Sequence, residues 1–273
     1  MNKKLIFFDI DGTLLDEQSG SVPASTIEAI EKAQKNGHLC FINTGRPIST
    51  IDKIITDLPF DGYVCGCGTY IEYQQKILFH TELDFELRKK VIQSIDQYQV
   101  DAMLEGKSGV YFSQHLKHPF IQAIKKKYQD LHFQVHSFSS YEDVPFDKLT
   151  VWYQPDTPIE AFKKALENDF LIIQRDIDFL EIVPLPYSKA TGIQYLIDYL
   201  GYTLKDTISM GDSLNDLPML TYTHESVAMG NSHPLLLDQV TYITTPVNQD
   251  GIQHALESRR PSGLRKTTLE TNS

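Results

Sequence analysis

The fold class this sequence predicts is α/β: a doubly wound, Rossmann-like parallel-sheet core with an inserted α+β cap domain. Three observations predict it. Short apolar runs alternate with helical patterns at both ends of the chain, as parallel strands joined by crossover helices require. Between residues 82 and 187 the pattern changes to hairpins and separate helices, more aromatic and poorer in glycine. Pro184-Leu185-Pro186 then marks a linker, and strand–helix alternation resumes. The expected organisation is a core of residues 1–81 plus 188–258, a cap of residues 82–187, and a polar, basic, disordered tail at 259–273.

Each element has its own signal. Leu5 to Asp9 is an apolar run of strand length. Pro23 to Lys35 is a helix, with Pro near its first turn, Ile27, Ile30 and Ala33 at helical spacing, and Gly37 as the stop. His38 to Asn43 is a second strand, and Thr44-Gly45-Arg46-Pro47 is a loop opening a helix that runs through Leu58. Gly62 to Cys65 is a third strand; Tyr70–Tyr73 and Lys76–Phe79 form a hairpin around Gln74-Gln75.

In the expected cap, Phe85 to Tyr98 is a helix, and Val100–Glu105 and Val110–Ser113 are a hairpin around Gly106-Lys107-Ser108-Gly109. Pro119–Tyr128 and Pro158–Glu167 are helices; Thr150–Tyr153, Phe170–Arg175 and Phe179–Val183 are strands. After the linker, Lys189–Leu200, Leu214–Leu220 and Gln249–Ser258 are helices, and Thr207–Met210, Ser226–Met229 and Val240–Ile243 are strands. No internal repeat or low-complexity tract is visible.

Composition bounds the function. The chain has 273 residues, 41% hydrophobic and 22% charged, ordinary for a folded soluble protein with a sizeable core. A formal net charge of −11 argues against a nucleic-acid partner, which needs a basic face. No apolar stretch approaches the roughly 18 residues of a membrane helix. Asp9 and Asp11 interrupt the N-terminal apolar run too early for a signal peptide, so a cytoplasmic location is expected. Cys40, Cys65 and Cys67 are odd in number and suit reduced thiols.

The chemistry is concentrated at strand ends. Asp9 and Asp11 follow the first strand one residue apart, so extended geometry points them the same way. Two like charges that close repel unless a cation or a protonation difference relieves them. Gly12 then allows a sharp turn. This pattern suits a hard divalent metal with one carboxylate acting as nucleophile. Three further features stand where open α/β sheets bind ligands: Thr44-Gly45-Arg46, Lys189 after Ser188, and Gly211-Asp212-Ser213-Leu214-Asn215-Asp216. Carboxylates, a hydroxyl and an ammonium converging there suggest phosphoryl transfer.

On these residues the chain resembles the haloacid dehalogenase-like hydrolases, specifically the Cof-type (subclass IIB) phosphatases. Asp9-Ile10-Asp11-Gly12-Thr13-Leu14 is similar to the first family motif, Thr44-Gly45-Arg46 to the second, Ser188-Lys189-Ala190 to the third and Gly211–Asp216 to the fourth. Val227-Ala228-Met229-Gly230-Asn231 also fits. The resemblance implies that Asp9 attacks phosphorus to form an aspartyl-phosphate. It implies that Asp11, starting protonated, is the general acid and then the base. Mg²⁺ would be held by the Asp9 and Asp212 carboxylates and the Asp11 backbone carbonyl, with Asp216 orienting metal waters or Lys189. Thr44, the Gly45 and Ile10 amides, Lys189 and Asn215 would bind phosphoryl oxygens, and Arg46 would contact substrate or pair with a carboxylate. The cap would close over the site and select a small phosphorylated metabolite: a sugar phosphate, nucleotide or cofactor phosphate.

Some residues have plainer explanations. Cys65-Gly66-Cys67-Gly68 stands where relatives often carry Asn-Gly and is given no role, and Ser213 and Ser232 replace a common Gly and Ala. Asp212 and Asp216 also suit a helix dipole, and Thr44 a helix cap. His115 and His118 are assigned to a solvated loop and helix entry, Lys125-Lys126-Lys127 to a solvated face, and Trp152 and Tyr153 to packing. A phosphomutase or phosphotransferase built on the same aspartyl-phosphate, and a non-catalytic phospho-metabolite-binding regulator, stand as alternatives. Substrate identity and oligomeric state are not encoded in any motif.

Overall fold

Leu5–Phe8 form a strand buried along its whole length, as its unbroken apolar run requires. The computed structural model describes residues 3–139 and 144–257; the expected tail at 259–273 lies outside the described residues. In chain order the elements are β1 (Leu5–Phe8), α1 (Ala24–Lys35), β2 (Leu39–Asn43), α2 (Lys53–Thr56), β3 (Gly62–Cys65), β4 (Tyr70–Tyr73) and β5 (Lys76–His80). Next come α3 (Phe85–Tyr98), β6 (Asp101–Gly106), β7 (Gly109–Ser113), α4 (Pro119–Asp130), β8 (Val135–Phe138), β9 (Lys148–Trp152), α5 (Ile159–Leu166), β10 (Phe170–Asp176) and β11 (Phe179–Pro184). The last are α6 (Lys189–Leu200), β12 (Thr207–Gly211), α7 (Leu217–Tyr222), β13 (Glu225–Ala228), α8 (Pro234–Leu237), β14 (Tyr242–Ile243) and α9 (Gly251–Glu257). None of the described helices is long and apolar enough to cross a membrane.

The described residues divide into two compact units, 3–41 with 202–257 in one and those between Ile42 and Gly201 in the other. In the first, β14, β13, β12 and β1 lie side by side and all pair in parallel, with Phe8 opposite Met210 and Gly211 opposite Ala228. The Leu39 amide donates to the Lys4 carbonyl, bringing the start of β2 alongside β1. Helix α1 buries Thr26, Ala29, Ile30 and Ala33, one helical stripe. Its end is set by Gly37 at φ 85°, a conformation open to glycine.

In the second unit, β3, β4 and β5 form an antiparallel meander. Gln74 and Gln75 turn its hairpin with φ of 49° and 63°, the doubly left-handed geometry of a two-residue loop. The intervening segment builds a six-stranded sheet in the order β10-β11-β9-β6-β7-β8, antiparallel except for β7 with β8. Strand alternation gives its two faces different tasks. Ala102, Leu104, Leu149, Val151, Leu180 and Ile182 form one core with Val91 and Ile95 of α3 and Phe162 of α5. Met103 and Trp152 pack on the opposite face with Ile121 of α4. Helix α6 opens with a reciprocal cap, Ser188 with Thr191, and ends at Gly201 in the left-handed conformation.

Several expected elements differ. The helix expected from the Thr44 loop through Leu58 is a 3₁₀ turn at Ile48–Thr50 followed by the four-residue α2, because Ile51 and Asp52 are extended between them. The Leu214–Leu220 helix is a 3₁₀ turn to Asp216 and then α7, with Pro218 in its first turn. The strand at Val240–Ile243 contracts to two residues, and α9 starts at Gly251 because Asp250 is left-handed; the expected helix end, Ser258, lies outside the described residues. Strand β8 was not anticipated. It pairs in parallel with β7, which tolerates its half-exposed Val-His-Ser-Phe pattern.

Close packing makes one position directly testable. A Cβ on Gly192 of α6 would lie 2.4 Å from Val64 Cγ1 of β3. Alanine gains about 1 kcal/mol of helix propensity, but overpacking a β-branched neighbour costs about 1–3 kcal/mol. Gly192→Ala is therefore expected to lower the Tm, and Gly192→Ala with Val64→Ala to recover part of the loss, both measured by calorimetry.

Candidate functional site

The first half of the site grows from the end of β1. The Asp9 amide donates to the Met210 carbonyl at 3.0 Å, carrying the β1–β12 ladder one residue further. The chain then turns on the Ile10 carbonyl, which accepts from Thr13, Leu14 and Leu15 at 3.2, 2.9 and 2.8 Å. Gly12 stands at φ 77°, and a Cβ there would fall 2.3 Å from Asp212 Oδ2. Only glycine lets this loop pass the carboxylate. Thr13 Oγ1 donates to Asp212 Oδ1 at 3.0 Å, and Asn231 Nδ2 holds the Gly12 carbonyl at 2.8 Å.

The second contribution comes from the end of β12. Asp216 Oδ2 accepts the Asp212 and Ser213 amides, each at 2.9 Å, folding the loop back on itself. Gly211 is required here too, because its Cβ would meet Asp216 Cγ at 2.6 Å. Ser213 Oγ donates to Asn215 Oδ1 at 2.9 Å, so the expected phosphate ligand Asn215 is held by its own loop.

These turns bring Asp9, Asp212 and Asp216 together, with one carboxylate oxygen from each within 4.8 Å of the others. Asp9 and Asp216 are buried and Asp212 is partly exposed. Three hard oxygen donors packed this closely suit a divalent cation such as Mg²⁺ or Ca²⁺ rather than a soft metal. Asp216 has one oxygen committed to backbone amides, which suits a positioning role behind Asp9 and Asp212. Asp11 is half-buried, bridges to Leu15 and stands outside the cluster; its expected contribution is a backbone carbonyl.

The second unit holds the other expected residues. Thr44 is buried at the end of β2, where its amide donates to the Val64 carbonyl at 2.9 Å. Its hydroxyl oxygen accepts the Arg46 amide at 3.2 Å. The Arg46 guanidinium forms an ion pair with Asp52 at 3.0 Å, the structural pairing weighed from the sequence. Lys189 is 1% exposed at the first position of α6, and Asn43 Nδ2 donates to its carbonyl at 3.0 Å. Asn43 Oδ1 is buried without a hydrogen-bond partner.

A buried ionic network in this unit was not anticipated. Lys148 of β9, almost fully buried, reaches Glu105 Oε2 of β6 at 3.1 Å and Glu181 Oε1 of β11 at 3.0 Å. It also donates to the Gly45 carbonyl at 3.1 Å. Arg175 pairs with Glu181 Oε2 at 2.7 Å, Thr150 Oγ1 donates to Glu105, and Cys67 Sγ donates to Glu181 at 3.2 Å. Burial raises Glu105 above the usual carboxylate range. Burial also acts on Glu181, but Lys148 and Arg175 outweigh it and hold that group below the range. Burial pushes the Cys67 thiol up, and Glu181 beside it adds to the effect. The signal available was periodicity: Lys148, Thr150 and Trp152 alternate onto one face, where a buried lysine demands partners. His118 is engaged elsewhere: it caps α4 and its ring meets Asp178 at 3.0 Å. Trp152 stacks on Phe179 at 4.5 Å.

Residues 6–256 match the model of the haloacid dehalogenase-like hydrolases, and the chain belongs to that family. It is 29% identical over 268 residues to YkrA of Bacillus subtilis, provisionally named a phosphatase, covering 94% of this chain and 98% of YkrA. It is 26% identical to the 5-amino-6-(5-phospho-D-ribitylamino)uracil phosphatase YitU of the same organism, covering 93% and 96%. A solved HAD subclass IIB sugar phosphatase superposes with a TM-score of 0.80 at 27% identity, covering 94% of this chain and 98% of its own.

Two outcomes follow from this geometry. Added Mg²⁺ is expected to raise the Tm, by the equivalent of about 2.7 kcal/mol at a hundredfold excess over Kd. Asp212→Asn should abolish that shift while slightly stabilising the metal-free protein by relieving repulsion; thermal unfolding with and without Mg²⁺ checks both. Glu181→Gln breaks a buried pair and should cost about 3–5 kcal/mol at pH 7. The folded-state pKa of Glu181 lies below an unfolded value of about 4.3, so its contribution is complete at neutral pH. The gap between wild type and variant should narrow as pH falls below about 5, read from denaturant unfolding at pH 7 and pH 4.

Proposed function

We propose that the protein is a Mg²⁺-dependent phosphomonoesterase that hydrolyses a small phosphorylated metabolite through an aspartyl-phosphate on Asp9. The observation that carries this reading is the cluster of Asp9, Asp212 and Asp216 at the ends of two adjacent parallel strands, in a chain of the haloacid dehalogenase-like hydrolase family.

The Asp9 carboxylate attacks phosphorus, and the bond from phosphorus to the ester oxygen breaks. Asp11 gives its proton to the departing alkoxide. Asp11 then takes a proton from a water that attacks the same phosphorus, releasing inorganic phosphate and restoring Asp9. Asp9, Asp212 and the Asp11 carbonyl would hold Mg²⁺, with Asp216 behind them. The ion would neutralise phosphoryl charge. Thr44, Lys189, Asn215 and the Ile10 and Gly45 amides would take the phosphoryl oxygens. Residues 82–187 act as the cap that excludes water and selects the leaving group, on a core of residues 1–81 and 188–258.

Two of the relatives are named for a sugar phosphatase activity and for a ribitylamino phosphate. Both leaving groups are polyhydroxylated. A phosphorylated sugar or polyol is therefore the substrate class supported best.

The test is Mg²⁺-dependent release of inorganic phosphate from an aryl phosphate and from a panel of sugar and polyol phosphates. Asp9→Asn is expected to lower kcat at least a thousandfold with the fold retained by circular dichroism. Undiminished turnover in that variant refutes the nucleophile, and phosphate found on a second organic product instead of free in solution identifies a mutase.

A further inference from the structure

The buried lysine of the inserted sheet touches the backbone of the Thr44 loop, and that contact has a chemical consequence. Lys148 Nζ donates to the Gly45 carbonyl at 3.1 Å. That carbonyl belongs to the same peptide unit as the Arg46 N–H, which donates to Thr44 Oγ1 at 3.2 Å. A peptide unit is planar, so holding its oxygen holds the direction of its N–H. An ammonium on the carbonyl also polarises the unit and strengthens the N–H as a donor. The Thr44 oxygen, once it accepts that N–H, has its own proton left to give.

We propose that Lys148 is a positioning residue that acts through the Gly45–Arg46 peptide to present the Thr44 hydroxyl as a hydrogen-bond donor to a phosphoryl oxygen. This rests on the phosphatase reading of the Thr44 loop. Three features favour a dedicated role over simple packing. The ammonium is almost fully buried, held by Glu105 and Glu181 from two other strands of the sheet. Glu105 is itself fixed by Thr150 and Glu181 by Arg175, so both carboxylate partners of Lys148 are held in place. A second tie joins the same elements, since Ser49 Oγ donates to the Gly106 carbonyl at 2.6 Å at the end of β6. The inserted sheet and the phosphate loop are thereby one hydrogen-bonded assembly, and the donor capacity of Thr44 depends on residues more than a hundred positions away in sequence.

The test is the affinity for orthovanadate, a tetrahedral phosphate analogue that becomes five-coordinate when a carboxylate adds to it, measured by calorimetry with Mg²⁺ present. Lys148→Met alone leaves two buried carboxylates facing a methyl group and is prone to unfold. Lys148→Met with Glu105→Gln removes one of those charges and keeps the partner of Thr150. The double variant is expected to bind orthovanadate at least threefold more weakly than wild type. In the Thr44→Val background the same pair of changes should alter affinity by less than 1.5-fold, because the hydroxyl they orient is gone. Unchanged affinity in the first comparison, or an equal loss in both backgrounds, overturns the relay and leaves Lys148 a packing residue. Wild-type protein that binds orthovanadate yet hydrolyses no phosphomonoester overturns the phosphatase reading, while the relay is still decided by the two affinity ratios.

Discussion

Electrostatic repulsion among three neighbouring carboxylates is the constraint around which the first unit is organised. Asp9, Asp212 and Asp216 each bring an oxygen within 4.8 Å of the others, with two of the side chains buried. In isolation such a group costs stability, because each charge loses water and gains like-charged neighbours. The fold contains the cost locally: backbone amides take one oxygen of Asp216 and the Thr13 hydroxyl takes one of Asp212. In the function proposed above, a cation with several oxygen ligands would complete the balance and bring phosphoryl oxygens to the same place.

The second unit meets the opposite problem with the same physics. Lys148 lies buried in an apolar sheet, and two glutamates from neighbouring strands surround it. Replacing such a group by hydrocarbon is often neutral for stability in general. Its presence here ties β6, β9 and β11 to one backbone carbonyl of the Thr44 loop, so register in the inserted sheet bears on the loop's geometry.

The clustering of Asp9, Asp212 and Asp216 could be read from the chain because these residues sit in contiguous motifs at strand ends. Asp9-Ile10-Asp11-Gly12 announces a carboxylate followed by a turn, and Gly211-Asp212 repeats the device on the strand that pairs with it. The parallel alternation of strands and helices was legible for the same reason. The ionic network was not, because Glu105, Lys148 and Glu181 meet only through strand register, and register is invisible until the sheet order is known. The segment after Arg46 misled for a different cause. Its helical composition is overridden by extended residues at Ile51 and Asp52, and the Arg46–Asp52 ion pair spans that break. Strand β8 was missed because its half-exposed sequence lacks the apolar density of the others.

The two glycines beside the aspartate cluster restrict how this molecule can vary. At positions 12 and 211 the space a side chain would fill already holds carboxylate atoms of Asp212 and Asp216. The loops interlock through what they lack, so neither can accept even a methyl group without displacing a charged neighbour. New side chains cannot readily be written into these turns, so variation has to be acquired elsewhere in the chain.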